Sequence, residues 1–170
     1  MTDPVFDICP DGANTVIAWL GLVYGAADAD LTLWRMLDDP LRLSLAQGWV
    51  LHQTKNVDED LAEDLAADDS NNPEFNLMLE ALVEHWRRVY VALSGEIGIL
   101  QQTNIVGVDM ELVVLTGPEY IGPVRGPMPA HCFVVRFEDD EWRIAALARR
   151  LPVPGWPPTE QVIPGLGVDG

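Results

Sequence analysis

The segment 131–150, HCFVVRFEDDEWRIAALARR, alternates apolar and polar side chains on both sides of Asp139-Asp140. A period of two residues is typical of a strand with one buried face, and a short polar linker between two such runs is typical of a hairpin turn. Because one face of this ribbon is apolar, a second layer must cover it. The expected cross-strand pairs are Glu138/Glu141, Phe137/Trp142, Arg136/Arg143, Val135/Ile144 and Phe133/Ala146.

The reverse face of the predicted hairpin carries arginines, with Arg136 directly opposite Arg143 and Arg149 further along. Like charges placed opposite each other destabilise a strand pair. Asp109 and Glu111 would neutralise these arginines if their segment forms the neighbouring strand. We favour such a carboxylate–arginine ladder on a solvated or dimer-contacting face, because exposed strand charges commonly protect sheets. An anion-binding site is the alternative.

The N-terminal part of the chain has the periodicity of helices. Asp39-Pro40 and Asn72-Pro73 each predict a helix start, with a capping side chain followed by proline in the first turn. Asp30 is expected to cap a short helix between the two longer ones. The predicted helical stripes are Val16, Ile17, Leu20, Val23, Tyr24 and Ala27, then Leu41, Leu45, Trp49 and His52, then Phe75, Leu79, Leu82, Trp86, Val89 and Leu93.

Residues 56–72, NVDEDLAEDLAADDSNN, contain acidic side chains and no basic ones. Mutual repulsion favours a mobile, solvated excursion here. Leu61 and Leu65 offer the alternative of a helical turn held against the body of the protein.

Beyond residue 104 the period of the pattern changes from 3.6 to 2. Residues 104–116 predict a strand whose apolar face, 106 to 114, points into the core, whereas prolines interrupt 117–130. We therefore expect an α+β fold in a single domain, 1–150. The proline-rich segment 151–170 still carries apolar side chains, and we expect it to lie as an extended arm on the body or on a neighbouring subunit.

Acidic residues outnumber basic ones by 27 to 10, which gives a net charge of −17. This charge disfavours binding to nucleic acids and to anionic membrane surfaces. Cys9 and Cys132 are isolated from each other, and no targeting signal precedes the first predicted helix. The longest apolar run, VIAWLGLVYGAA, is too short to cross a bilayer. We expect a cytoplasmic protein without disulfides.

The sequence contains none of the common motifs that indicate a particular catalytic or binding chemistry. It contains neither a zinc-spaced His/Cys cluster nor a nucleophile elbow, and it has no glycine-rich phosphate loop. The acidic run lacks the alternating ligands and central glycine of a calcium loop. We expect no metal and no cofactor.

Two stretches, FVVRFEDDEWRI and WLGLVYGAADADLTLWRMLDD, resemble the nuclear-transport-factor-two-like superfamily, which includes ketosteroid isomerases, scytalone dehydratase and polyketide cyclases. The resemblance covers residues 13–150. It implies N-terminal helices packed on a curved antiparallel sheet, the cystatin-like cone. It also implies a small hydrophobic organic ligand in the open end of the cone, and a homodimer formed through the sheet.

Within that resemblance His131 and Tyr24 are the candidate catalytic residues. His131 extends the apolar strand face that should line the cone, and the resemblance implies that Tyr24 points its phenol into the cavity from the first helix. The alternative for each is a structural role at the margin of the core. The expected function is cofactor-independent acid–base chemistry of the dehydratase, isomerase or cyclase type, and the alternative is a non-catalytic interaction module.

Overall fold

The computed structural model describes residues 11–25, 31–67, 71–95, 97–104, 109–117 and 130–163. Helices form the N-terminal half and strands the C-terminal half, which confirms the α+β class. The helices are α1 (Asp11–Gly25), α2 (Leu31–Arg35), α3 (Asp39–Thr54), α4 (Glu59–Ala66) and α5 (Pro73–Val89), and a 3₁₀ turn follows at Val91–Leu93.

Two helix starts agree with the capping pattern in the sequence to within one residue. Asn72 caps α5 through its side-chain oxygen, which accepts from the Glu74 amide at 3.0 Å. The cap of α3 is Asp38, not Asp39, and its carboxylate accepts from the Leu41 amide at 3.0 Å. Pro40 therefore lies in the first turn. Backbone N–H groups there have no acceptor within the helix, so the missing N–H of proline costs no hydrogen bond. Asp30 lies outside the described residues.

The acidic segment contains a regular helix. For this part of 56–72 the structure agrees with the alternative expectation, a helical turn held against the body of the protein. In α4 the side chains of Ala62 and Leu65 are buried and the carboxylates point outward. Asp58 caps the helix by accepting from the Leu61 amide at 3.1 Å. Burial of one apolar stripe against α3 offsets the repulsion that favoured a solvated excursion.

A four-stranded antiparallel sheet follows in sequential order, β1 (Gly98–Asn104), β2 (Met110–Thr116), β3 (His131–Glu138) and β4 (Glu141–Ala146). The strand predicted over 104–116 corresponds to β2 and the last residue of β1. The rest of β1 was not predicted as a strand, because its sequence, GILQQTN, lacks apolar alternation. Residues 105–108 and 118–129 lie outside the description.

The β3–β4 hairpin turns at Asp139-Asp140, as predicted. Both residues have positive φ, 53° and 61°, which is the backbone that a two-residue type I′ turn requires. Four of the five predicted pairs are confirmed. The fifth is wrong, because a bulge after Ile144 leaves Ala145 unpaired and sets Ala146 opposite Val134 rather than Phe133.

The sheet is buried on both faces. On the helix side, Val113, Leu115, Phe133, Val135 and Ile144 join the main core, which α1 covers. The reverse side holds a smaller apolar cluster that includes Met110, Leu112, Val114 and Val134. The 106–114 face is buried in its described members, as predicted, but in the reverse-side cluster and not against the helices.

The arginine ladder also differs from the prediction. Glu111 pairs with Val135, so it lies on the helix side and does not approach Arg136. The carboxylate beside Arg136 is instead Asp38, at 3.4 Å. Asp38 is brought there because residues 36–38 run along β4, with the Asp38 amide donating to the Ile144 carbonyl at 2.8 Å.

The C-terminal segment forms a second, two-stranded antiparallel sheet, β5 (Arg150–Val153) and β6 (Thr159–Val162). Its strand β5 contacts α3 and β4. Ile163 is fully buried in the reverse-side cluster, where Leu151 also packs. The apolar side chains of this segment therefore cover part of the body. In the described part of the chain, no helix has the length and apolar character needed to cross a bilayer.

Candidate functional site

A cleft of about 460 Å³ lies between α3, α5 and the C-terminal strands. Its walls are mainly apolar. Leu41 and Leu45 contribute from α3, Leu82 and Val89 from α5, and Pro152 and Pro158 from the C-terminal segment. The loop between β5 and β6 is tied to α3, because the Gly155 amide donates to Gln47 Oε1 at 2.7 Å.

The inner wall of the cleft is aromatic and closely packed. Trp86 and Tyr90 line it, and both are almost fully buried. Behind them Trp19 contacts Trp86 edge-to-face, with ring centroids 4.9 Å apart. The Tyr90 hydroxyl donates to the Leu147 carbonyl at 3.4 Å, and burial raises the pKa of Tyr90. This wall provides apolar surface and does not provide an acid.

One polar atom in this apolar setting lacks a partner. Ser44 lines the cleft from α3, is only 9% exposed, and its Oγ has no hydrogen-bond partner among the described residues. A serine within a helix commonly bonds to the carbonyl one turn earlier. A buried hydroxyl without any partner costs about 1–3 kcal/mol. A ligand carrying a hydrogen-bonding group would satisfy it.

The rim of the cleft is polar. His85 on α5 is exposed, and Arg150, Thr159 and Glu160 border the opening from the C-terminal strands. An imidazole can accept or donate a hydrogen bond, so His85 can contact a polar end of a bound molecule.

Tyr24, the first predicted site residue, links two helices. Its hydroxyl donates to the Arg87 carbonyl at 2.8 Å, and Arg87 Nε donates to the Val23 carbonyl at 2.6 Å. Burial raises the pKa of Tyr24, and the Arg87 charge opposes that shift in part. The phenol thus stabilises the contact between α1 and α5 and does not line the cleft.

His131, the second predicted site residue, is half-buried at the start of β3. Its ring contacts Tyr90 edge-to-face, with centroids 5.3 Å apart, and burial lowers its pKa. It does not line the cleft either. The structure places both predicted residues against the aromatic wall, Tyr24 at the backbone of Trp86 and Arg87 and His131 at the ring of Tyr90.

No protein-family model matches this chain, and neither a curated protein nor a solved structure does so. The function must therefore be inferred from the geometry of the molecule itself. Among the residues that the structure describes, no cluster of three or more His, Cys, Asp or Glu side chains is arranged to hold a metal ion.

Sequence reasoning missed Ser44 and placed His85 only beside a helical stripe. The available signal for Ser44 was its position between Leu41 and Leu45, on the apolar side of α3. That pattern alone does not separate a cleft-lining serine from one that bonds to its own helix. The distinction needs the C-terminal strands, whose position the sequence left open.

Proposed function

We propose that this protein binds a small, mostly apolar organic molecule in the cleft between α3, α5 and the C-terminal strands. The observation that carries the proposal is the buried, unpartnered hydroxyl of Ser44 within apolar walls. Small-molecule sites commonly combine an apolar cavity of roughly 300–1,000 Å³ with a few oriented polar groups. Ser44 and His85 are those polar groups here.

The ligand class follows from these walls. Trp86 and the leucines give the walls an apolar surface that suits a hydrophobic ring system, and the Ser44 hydroxyl favours a ligand with one hydroxyl or carbonyl. The cystatin-like cone remains part of the proposal for the fold, supported by helices that pack on an antiparallel sheet. The ligand site proposed here lies outside the helix–sheet interface, where Trp19 and Phe133 are fully buried.

A cofactor-independent dehydratase-, isomerase- or cyclase-like activity is the second candidate function. Its supporting observation is the pKa of His131, which burial lowers, so that the ring is neutral and able to accept a proton near neutral pH. Tyr24 would act as the polarising group. Binding ranks ahead of catalysis because neither of these side chains lines the cleft.

The test is a titration with 2-naphthol, a neutral ring system with one hydroxyl, followed by ligand-observed NMR. Leu82→Trp fills the cleft and should abolish binding. Leu77→Trp introduces the same side chain on the exposed face of the same helix and should leave binding unchanged, since Leu77 is 54% exposed. Equal affinities for the two variants would contradict the proposed site.

Ser44→Ala tests the hydrogen bond. We expect 2-naphthol to bind about five- to tenfold more weakly, while naphthalene binds with unchanged affinity, because one neutral hydrogen bond contributes about 1–1.5 kcal/mol. Ser94→Ala is the control, since the exposed Ser94 hydroxyl already donates to the Val91 carbonyl at 2.8 Å. His131→Ala leaves binding intact if His131 acts only in catalysis.

A further inference from the structure

A second cleft, of about 530 Å³, lies at the outer edge of β4 and is separate from the site proposed above. Side chains of α1, α2, α3 and the β3–β4 hairpin border it. Ser44 and Trp86 line the first cleft and do not line this one.

Arginines are concentrated here. Of the ten basic residues in the chain, Arg35, Arg42 and Arg143 line this cleft. The net charge of −17 repels anions at long range, so an anion bound to this protein needs a local cluster of this kind. Arg42 forms an ion pair with Asp39, which fixes its position at the start of α3.

Arg143 has unused hydrogen-bonding capacity. Its terminal nitrogen lies 3.5 Å from Glu141 Oε2, and Glu141 is exposed to solvent. Its Nε is buried and has no hydrogen-bond partner among the described residues. A guanidinium group binds a carboxylate through two parallel hydrogen bonds, of which Nε–H can provide one.

Two aromatic residues line the same cleft as the arginines. Phe137 and Trp142 both line the cleft, with ring centroids 5.2 Å apart. Phe137 is 41% exposed, although it was expected to be covered with the rest of its strand face. A planar ligand ring would cover it.

The charges also limit which anion fits. Asp140 and Glu141 line the cleft together with the three arginines, and Asp39 pairs with Arg42, so acidic and basic charges are balanced there. A singly charged carboxylate is repelled less by these carboxylates than a phosphate monoester, which brings a second negative charge close to them. We propose that this cleft is a binding site for a small aromatic carboxylate, with Arg143 contacting the carboxylate and Phe137 and Trp142 contacting the ring.

The experiment compares 2-naphthoate, 2-naphthamide and 2-naphthyl phosphate by isothermal titration calorimetry on the full chain. We expect 2-naphthoate to bind more tightly than both of the others. Arg143→Gln should weaken 2-naphthoate binding at least tenfold and leave 2-naphthol binding in the first cleft unchanged. Arg88→Gln is the matched control, because Arg88 is exposed on α5 and pairs with Glu84.

Phe137→Glu provides an independent variant at an exposed position and should abolish 2-naphthoate binding by adding a carboxylate to the cleft. Equal affinities for naphthoate and naphthamide would overturn the proposal, and so would tighter binding of the phosphate. Loss of naphthoate binding in Leu82→Trp, with full binding in Arg143→Gln and Phe137→Glu, would assign the carboxylate to the first cleft and equally overturn it.

Discussion

At the scale of a single residue, Ser44 links the stability of the protein to its proposed function. Its hydroxyl is buried on α3 and finds no partner among the described residues, so the folded state carries an uncompensated desolvation cost. Residues that serve binding are commonly unfavourable for stability in this way. The same side chain would become favourable once a ligand supplies the missing hydrogen bond.

We predict that Ser44→Ala stabilises the unliganded protein by about 1 kcal/mol, because it removes the unpaired hydroxyl and introduces a better helix former. Urea denaturation with and without 2-naphthol measures the effect. The ligand should stabilise the wild type more than the variant. A variant that is less stable than the wild type would mean that the hydroxyl already has a partner.

Asp38 is the second informative residue, because it caps α3 and faces Arg136 while being almost fully buried. Burial raises its pKa, and the Leu41 amide and Arg136 oppose that shift in part. The folded chain therefore holds the proton of Asp38 more tightly than the unfolded chain does. Its contribution to stability is fully present below the pKa of an unfolded aspartate and is lost as the pH rises through the folded value.

We predict that Asp38→Asn gains stability relative to the wild type as the pH rises from about 4 to about 7, since asparagine retains a capping oxygen but does not titrate. The free energy of unfolding at several pH values measures this difference. Asp38→Ala should be about 1 kcal/mol less stable than Asp38→Asn, because it loses the cap. A stability difference between Asp38→Asn and the wild type that is independent of pH would contradict the assignment.

At the scale of secondary structure, local patterns predicted the β3–β4 hairpin and the starts of α3 and α5 well. Alternation and turn chemistry act within a few residues, so Asp139-Asp140 was visible from the sequence. The sequence did not show which face of β2 points toward the helices, because Met110 on one face and Val113 on the other are both apolar and both buried. The bulge at Ala145 likewise depends on packing rather than on local sequence.

The C-terminal strands explain why both faces of the sheet are apolar. Ile163 is fully buried in the reverse-side cluster, whereas its neighbour Val162 is 43% exposed. We predict that Ile163→Asp lowers the free energy of unfolding by more than about 4 kcal/mol and that Val162→Asp changes it by about 0.5 kcal/mol or less. Similar effects of the two substitutions, measured by urea denaturation, would show that this segment does not cover the sheet.

At the scale of the whole molecule, the candidate site depends on contacts between distant parts of the chain. Ser44, Trp86 and Pro158 come from three separate elements, and no sequence motif links them. From the sequence we expected a small apolar ligand beside His131 and Tyr24, and both of these side chains pack against the back of the aromatic wall. The ligand itself stays a prediction. The homodimer stays a prediction. Its expected surface, the sheet, is partly covered by Leu151 and Ile163 of the same chain.

Amide chemical-shift mapping with 2-naphthol on the ¹⁵N-labelled protein tests the location of the ligand most directly. The account predicts that the largest shifts fall on Ser44, Trp86 and Thr159, which surround the cleft on three elements. Shifts confined to the hairpin around Phe137, or no shifts at saturating ligand, would contradict it.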